Sequence, residues 1–128
     1  MKKKIIKTPK APLPIGPYNQ AVLIDRLVYT SGQIPIDPKT NEVCPGGINE
    51  QTRMALSNLE AVLKGAGTSL ENVVNATVFL KNMNDFPGMN AVYTEYFDPK
   101  SAPARSTIEV ARLPKDVLVE IEAVASLD

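Results

Sequence analysis

Near the C-terminal end of the chain, charged side chains are spaced for work on a small charged molecule. Strand alternation over Ala104 to Val110 sends Arg105, Thr107 and Glu109 to one face, and Ala104, Ser106, Ile108 and Val110 to the other. Over Val117 to Ala125 the same rule groups Glu120 with Glu122, opposite Val117, Val119, Ile121, Ala123 and Ala125. If Val110 pairs with Val117 in a hairpin, Thr107 stands across from Glu120 and Arg105 across from Glu122, with Glu120 diagonal to Arg105. One guanidinium and two carboxylates then share a sheet face. Such a set can hold a substrate carboxylate bidentately on Arg105 while Glu120 positions or activates water. It equally fits a cross-strand ion pair of small net value on an exposed sheet.

Other segments offer fewer chemical groups. Gly32, in Thr30-Ser31-Gly32-Gln33, interrupts a strand and marks either a bulge or a place where another group approaches the backbone closely, its N–H available to a ligand anion. Tyr18, in Gly16-Pro17-Tyr18, either packs or closes over a cavity with its hydroxyl as donor. Asn90 breaks the apolar stripe of a helix, as a solvated residue would. Cys44, the single cysteine, lies in a loop-like Val43-Cys44-Pro45-Gly46-Gly47 with no cationic cluster nearby in sequence, which argues against a nucleophile. With no histidine in the chain, Ser-His-Asp triads, Cys-His dyads and histidine-containing zinc sites are excluded, and one thiol cannot make a multi-thiolate metal site or an internal disulfide. A lone thiol suits a reducing compartment, so a cytoplasmic location is expected.

The elements that must carry these residues follow from periodicity. Pro9, Pro12, Pro14 and Pro17 remove four backbone donors, so residues 1–17 read as an extended arm. Gln20 to Ile24 and Leu27 to Ile34 read as a hairpin, ended by Pro35 and Pro38. Thr52, Ala55, Leu56, Leu59, Val62, Leu63 and Ala66 recur at helical spacing after Asn49 as N-cap, with Gly65 or Gly67 as stop. Val73 to Lys81 reads as a strand, and Met89, Val92, Tyr93, Tyr96 and Phe97 form a second helix capped at Asn84-Asp85 and stopped by Asp98-Pro99. With the two final strands the order is β, β, α, β, α, β, β: a single α+β domain whose mixed sheet carries two helices on one face. Nothing is left to cover the other face, so self-association is expected.

Composition narrows the partners. The chain has 128 residues, 44% of them hydrophobic and 22% charged, which is incompatible with whole-chain disorder. Lys2, Lys3, Lys4, Lys7 and Lys10 hold five of the 14 positive charges, so from residue 11 onward nine positive face fourteen negative charges, a net of −5. That body, with 5% aromatics and no Trp, lacks the basic stripe and stacking platforms of a nucleic-acid binder. No apolar run approaches the ~18 residues of a membrane span, and the lysine-rich start leads into no secretory h-region.

The chain closely resembles the reactive intermediate deaminase family, RidA or YjgF, whose older description is L-PSP endoribonuclease or translation inhibitor. The likeness runs nearly end to end through Ile15-Gly16-Pro17-Tyr18, Thr30 to Pro35, Asn84-Asp85-Phe86 and, above all, Pro103 to Ala125 with its Ala-Arg-Ser, Val-Ala-Arg-Leu-Pro and Val-Glu-Ile segments. The resemblance implies a chorismate-mutase-like fold assembled as a homotrimer, a central barrel built from the sheets, and sites in the clefts between subunits. It implies hydrolysis of enamine and imine intermediates (2-aminoacrylate, 2-iminopropanoate, 2-iminobutanoate) to 2-keto acids and ammonia, with no cofactor or metal. The intermediates would come from pyridoxal-phosphate dehydratases. Position by position, Arg105 resembles the carboxylate anchor, Glu120 the residue that orients water, and Tyr18 the cleft lid. Gly32 supplies a backbone contact, and Ser31, Phe86, Asn90 and Thr107 line the cleft. Many members carry cysteine where Thr107 stands. The competing expectations are an endoribonuclease on single-stranded RNA and a non-catalytic 2-keto-acid-binding regulator.

Overall fold

The computed structural model describes residues 2–128, which form strands β1 (Lys4–Ile6), β2 (Ala21–Ile24), β3 (Leu27–Thr30), β4 (Ile36–Asp37) and β5 (Glu42–Val43), helix α1 (Ile48–Gly65), strand β6 (Val73–Leu80), helix α2 (Phe86–Tyr96), and strands β7 (Ala104–Glu109) and β8 (Val119–Ser126). Helix α1 starts just before the expected cap: Gly47 is its N-cap, and the Gly47 N–H donates to Glu50 Oε1 at 2.8 Å. It stops where Gly67 turns left-handed at φ +90°, a conformation that glycine takes without steric cost. Its apolar stripe, Leu56, Leu59, Val62 and Leu63, and Met89, Val92 and Tyr93 of α2 are buried against Val78, Leu80, Ile121 and Ala123 of the sheet. Both helices therefore lie on one face, as the order of elements predicts.

The sheet differs from the sequence reading in three ways. The arm contributes a strand: β1 pairs antiparallel with β2, Ile5 opposite Val22, which extends the sheet by one edge strand before the prolines take over. After the β2–β3 hairpin, pairing resumes in a short β4–β5 hairpin, since Pro35 and Pro38 flank Ile36–Asp37 and do not occupy its ladder positions. The third difference matters most. The strand order is β1-β2-β3-β8-β6-β7, so β6 separates β7 from β8, and the expected Val110–Val117 hairpin does not form. Strand β7 instead runs parallel to β6, with Arg105 opposite Ala76, and β8 runs antiparallel on the other side of β6, with Ala123 opposite Ala76 and Glu120 opposite Phe79.

This order changes which side chains share a face. Arg105 and Thr107, in register with buried Ala76 and Val78, point to the helix-covered face. Glu120 and Glu122, in register with Phe79 and Thr77, point to the other. That second face carries no helix, and Ile5, Leu27, Tyr29 and Ile108 stand exposed on it. An uncovered, largely apolar sheet face is what the element count predicts, and no helix of the described residues is long and apolar enough to cross a membrane.

Candidate active site

The fold gathers the candidate residues into two groups. The first sits where the arm meets the end of β3. Gly32 allows a close approach rather than a turn: a Cβ built there would lie 2.3 Å from Glu120 Oε2, so only glycine lets the Glu120 side chain lie across the backbone. Two bridging hydrogen bonds between Gln33 and Ile121, at 2.8 and 3.1 Å, lock that approach. Glu120 is half-buried, and burial, reinforced by the neighbouring Glu122 charge, pushes its carboxyl above the ordinary glutamate range. Ser31 donates its hydroxyl to the Asn19 carbonyl, while its N–H donates to the Gln20 carbonyl at 2.8 Å. It thereby fixes the segment that carries Tyr18. Tyr18 is 51% exposed, and its hydroxyl accepts from the Ile15 N–H at 3.2 Å. A cavity of about 360 Å³ opens beside these residues, walled by Tyr18, Gly32, Gln33, Ile34, Pro114 and Lys115, together with the arm.

The arm is held down by a residue that sequence reasoning passed over. Gln20 is buried, donates its amide to the carbonyls of Thr8, Ala11 and Pro12 at 3.0, 3.2 and 2.9 Å, and accepts from the Thr8 N–H at 2.8 Å. The proline-rich stretch carries few N–H donors, so its carbonyls need an outside partner, and one carboxamide supplies it. The cavity's far rim is a strained turn in which Lys115 and Asp116 both take φ +56°, stabilised by the exposed Arg112–Asp116 ion pair.

The second group lies on the helix face. The Arg105 guanidinium carbon sits 4.5 Å from the ring centroid of Tyr93 and 5.5 Å from that of Phe86. Phe86, Asn90, Tyr93 and Phe97 recur at spacings of four, three and four, one stripe at the edge of α2, so Asn90 belongs to this group by its position on the helix. Thr107 lies two residues along β7, its hydroxyl buried with no partner, and the same is true of the Tyr93 hydroxyl. Glu109, third on that face, accepts from the Met83 N–H at 2.8 Å and fixes the turn that launches α2. Tyr93 was legible only as a helix-stripe residue, although its spacing from Phe86 and Asn90 is the signal that would have placed it. Cys44 is half-buried, and burial, together with Glu50, pushes its thiol up, away from nucleophilic character.

Arg105 and Glu120 are thus not neighbours on one face, as the hairpin reading predicted. They lie on opposite faces, one intervening strand and three register positions apart, about 10 Å along the strand direction alone. Alternation within each strand was right; the neighbour assumed for each strand was wrong.

These features define an α+β domain with a mixed six-stranded sheet, helices on one face, and an arginine resting on aromatic rings, set apart from a half-buried glutamate. The comparisons place it more narrowly. Residues 8–127 match the family model described as Endoribonuclease L-PSP. The chain is 54% identical to a RutC family protein of Pyrococcus abyssi over 98% of each chain. It is 52% identical to the 2-iminobutanoate/2-iminopropanoate deaminase of Bos taurus over 96% of this chain and 89% of that one. The crystal structure of the YjgF gene product from E. coli superposes with a TM-score of 0.91 at 48% identity, covering 98% of this chain and 99% of the other. The chain belongs to the RidA/YjgF family.

Proposed function

We propose that the protein hydrolyses reactive enamine and imine intermediates, such as 2-aminoacrylate, 2-iminopropanoate and 2-iminobutanoate, to 2-keto acids and ammonia, in a site shared between subunits of a homotrimer. The observation that carries this reading is a half-buried arginine that no carboxylate neutralises in any of the ion pairs of the described residues, its guanidinium resting on aromatic rings and its donors free for a substrate carboxylate. A 2-imino acid spans only a few bonds, so Arg105 and Glu120 of one chain, on opposite sheet faces, cannot serve the same molecule. A site shared between subunits removes that separation, with the Glu120 group on the open face of one chain meeting the Arg105 group that the edge strand β7 carries on the next. The curated relatives named for imine deamination support the same chemistry.

In this reading Arg105 holds the substrate carboxylate, and Phe86, Asn90 and Thr107 line that end of the cleft. Glu120 accepts a proton from water as the water oxygen bonds to the imine carbon, and the C=N electron pair moves onto nitrogen. Glu120 then returns that proton to the carbinolamine nitrogen; the C–N bond breaks with its electron pair leaving on ammonia, the hydroxyl O–H electrons form the keto group, and the hydroxyl proton passes through Glu120 to the departing ammonia. An enamine enters the same path after protonation at its β-carbon. Tyr18 closes the cleft, Ser31 holds the Tyr18 segment, and Gly32 makes room for Glu120 and offers its N–H. No cofactor takes part, because a protonated imine is already electrophilic, so orientation and one positioned base account for the catalysis. Pyridoxal-phosphate dehydratases are the source of the substrate.

The test couples a threonine or serine dehydratase to this protein and follows keto-acid release. Acceleration that disappears in Arg105→Ala, with the oligomer intact, is the expected result. No acceleration from an assembled wild-type protein overturns the reading. Cleavage of single-stranded RNA that Glu120→Ala abolishes would replace it with the endoribonuclease reading.

A further inference from the structure

We propose that Tyr93 is the positioning residue of the Arg105 anchor, its ring face holding the guanidinium in place without neutralising it. The inference rests on the reading of Arg105 as the substrate's carboxylate partner and names the residue that makes this possible. Tyr93 is 5% exposed, and its ring stacks on Phe97 at 4.4 Å with 28° between planes, so it is a fixed surface rather than a mobile side chain. The guanidinium carbon lies 4.5 Å from its centroid, a full ångström closer than to the Phe86 centroid at 5.5 Å. The ion pairs of the described residues are Arg26–Asp128, Arg53–Glu95 and Arg112–Asp116, and Arg105 belongs to none of them.

The physical logic concerns what a receptor arginine needs. A half-buried cation must be compensated, and the usual compensation is a carboxylate. A protein carboxylate would take the guanidinium's fork of N–H donors and compete directly with the substrate's own carboxylate. An aromatic face compensates the charge from one side of the plane through its quadrupole and leaves the donors around the rim unoccupied. The Thr107 hydroxyl, buried without a partner, adds a polar group at the same place that a bound anion or its water can satisfy, while burial pushes the Tyr93 hydroxyl above the ordinary tyrosine range and the nearby Arg105 charge opposes that shift.

The experiment measures binding of 2-ketobutyrate, and of its uncharged amide as control, to the assembled protein by calorimetry, together with KM and kcat for imine hydrolysis. Tyr93→Leu is expected to weaken 2-ketobutyrate about tenfold, the scale of a desolvated cation–π contact, to leave the amide unchanged, and to raise KM more than it lowers kcat. Tyr93→Phe keeps the ring face and restores binding. Should Tyr93→Leu fail to assemble, a series of progressively fluorinated phenylalanines at position 93 keeps the shape while draining the ring's negative face, and affinity for 2-ketobutyrate should fall with each fluorine. Flat affinity along that series, or equal losses for acid and amide in Tyr93→Leu, overturns the proposal. Arg105→Ala is run in parallel: if it binds 2-ketobutyrate like wild type, the anchor reading itself fails. If it loses binding while the position-93 variants do not, only the role of Tyr93 fails.

Discussion

A single missing methyl group decides how Glu120 is seated. Because a Cβ at position 32 would fall 2.3 Å from Glu120 Oε2, Gly32→Ala must displace the carboxylate. Gly32→Ala should therefore cost at least tenfold in imine hydrolysis while affinity for 2-ketobutyrate, which in the proposed reading rests chiefly on Arg105, falls much less; parallel turnover and calorimetric measurements check it. The raised carboxyl of Glu120 sets a second expectation. As a base it works only when ionised, so the rate should fall as pH drops through a value above the ordinary glutamate range, and Glu120→Gln should remove most of the enzymatic rate along with that limb once spontaneous hydrolysis is subtracted. The linkage sign agrees: between the unfolded and the raised folded value, the folded chain binds more protons, so this group's contribution to stability declines as pH rises through that window. Truncation of Arg105 to alanine should lower kcat/KM by about 100-fold or more, since a bidentate charged contact is worth roughly 3 kcal/mol.

Elements, in turn, set where those residues can reach. The arm between Thr8 and Tyr18 forms no strand beyond β1, and its seat depends on the buried carboxamide of Gln20. Gln20→Leu removes the partner of three carbonyls and should destabilise the fold by about 1–3 kcal/mol, visible as a lower urea midpoint. Amide exchange near Thr8 should accelerate, because its N–H donates to the Gln20 side chain, while amides in α1 keep their protection. On the opposite side, α2 acts as a template for Arg105: its stripe from Phe86 to Phe97 carries the rings on which the guanidinium rests, and Glu109 pins the turn at its start.

The whole molecule leaves one sheet face bare. Tyr29 and Ile108 stand exposed there beside Glu120 and Glu122, an arrangement that an isolated chain has no means to bury. Introducing charge on that face, as in Tyr29→Asp on the inner strand β3 or Ile108→Asp on the edge strand β7, should convert the assembly to monomers in sedimentation and abolish imine hydrolysis together with it. The loss of activity should track the loss of assembly, because both substitutions leave Arg105 and Glu120 in place.

Much of this was legible before any coordinates. Periodicity placed α1, α2, β6 and the two final strands, since burial of one face imprints a period of 3.6 or 2 on the residues themselves. Alternation correctly put Arg105 with Thr107 and Glu120 with Glu122, and the absence of histidine excluded Ser-His-Asp triads, Cys-His dyads and histidine-containing zinc sites. The tertiary structure alone decided that β6 lies between β7 and β8, which places Arg105 and Glu120 on opposite faces. Strand pairing is a long-range choice made through backbone groups that are the same in every residue, so a strand's sequence specifies its own two faces but not its neighbour. The roles of Gln20 and Tyr93 were hidden for the same reason, because each acts on a segment brought to it by folding: the arm in one case, the guanidinium of a following strand in the other.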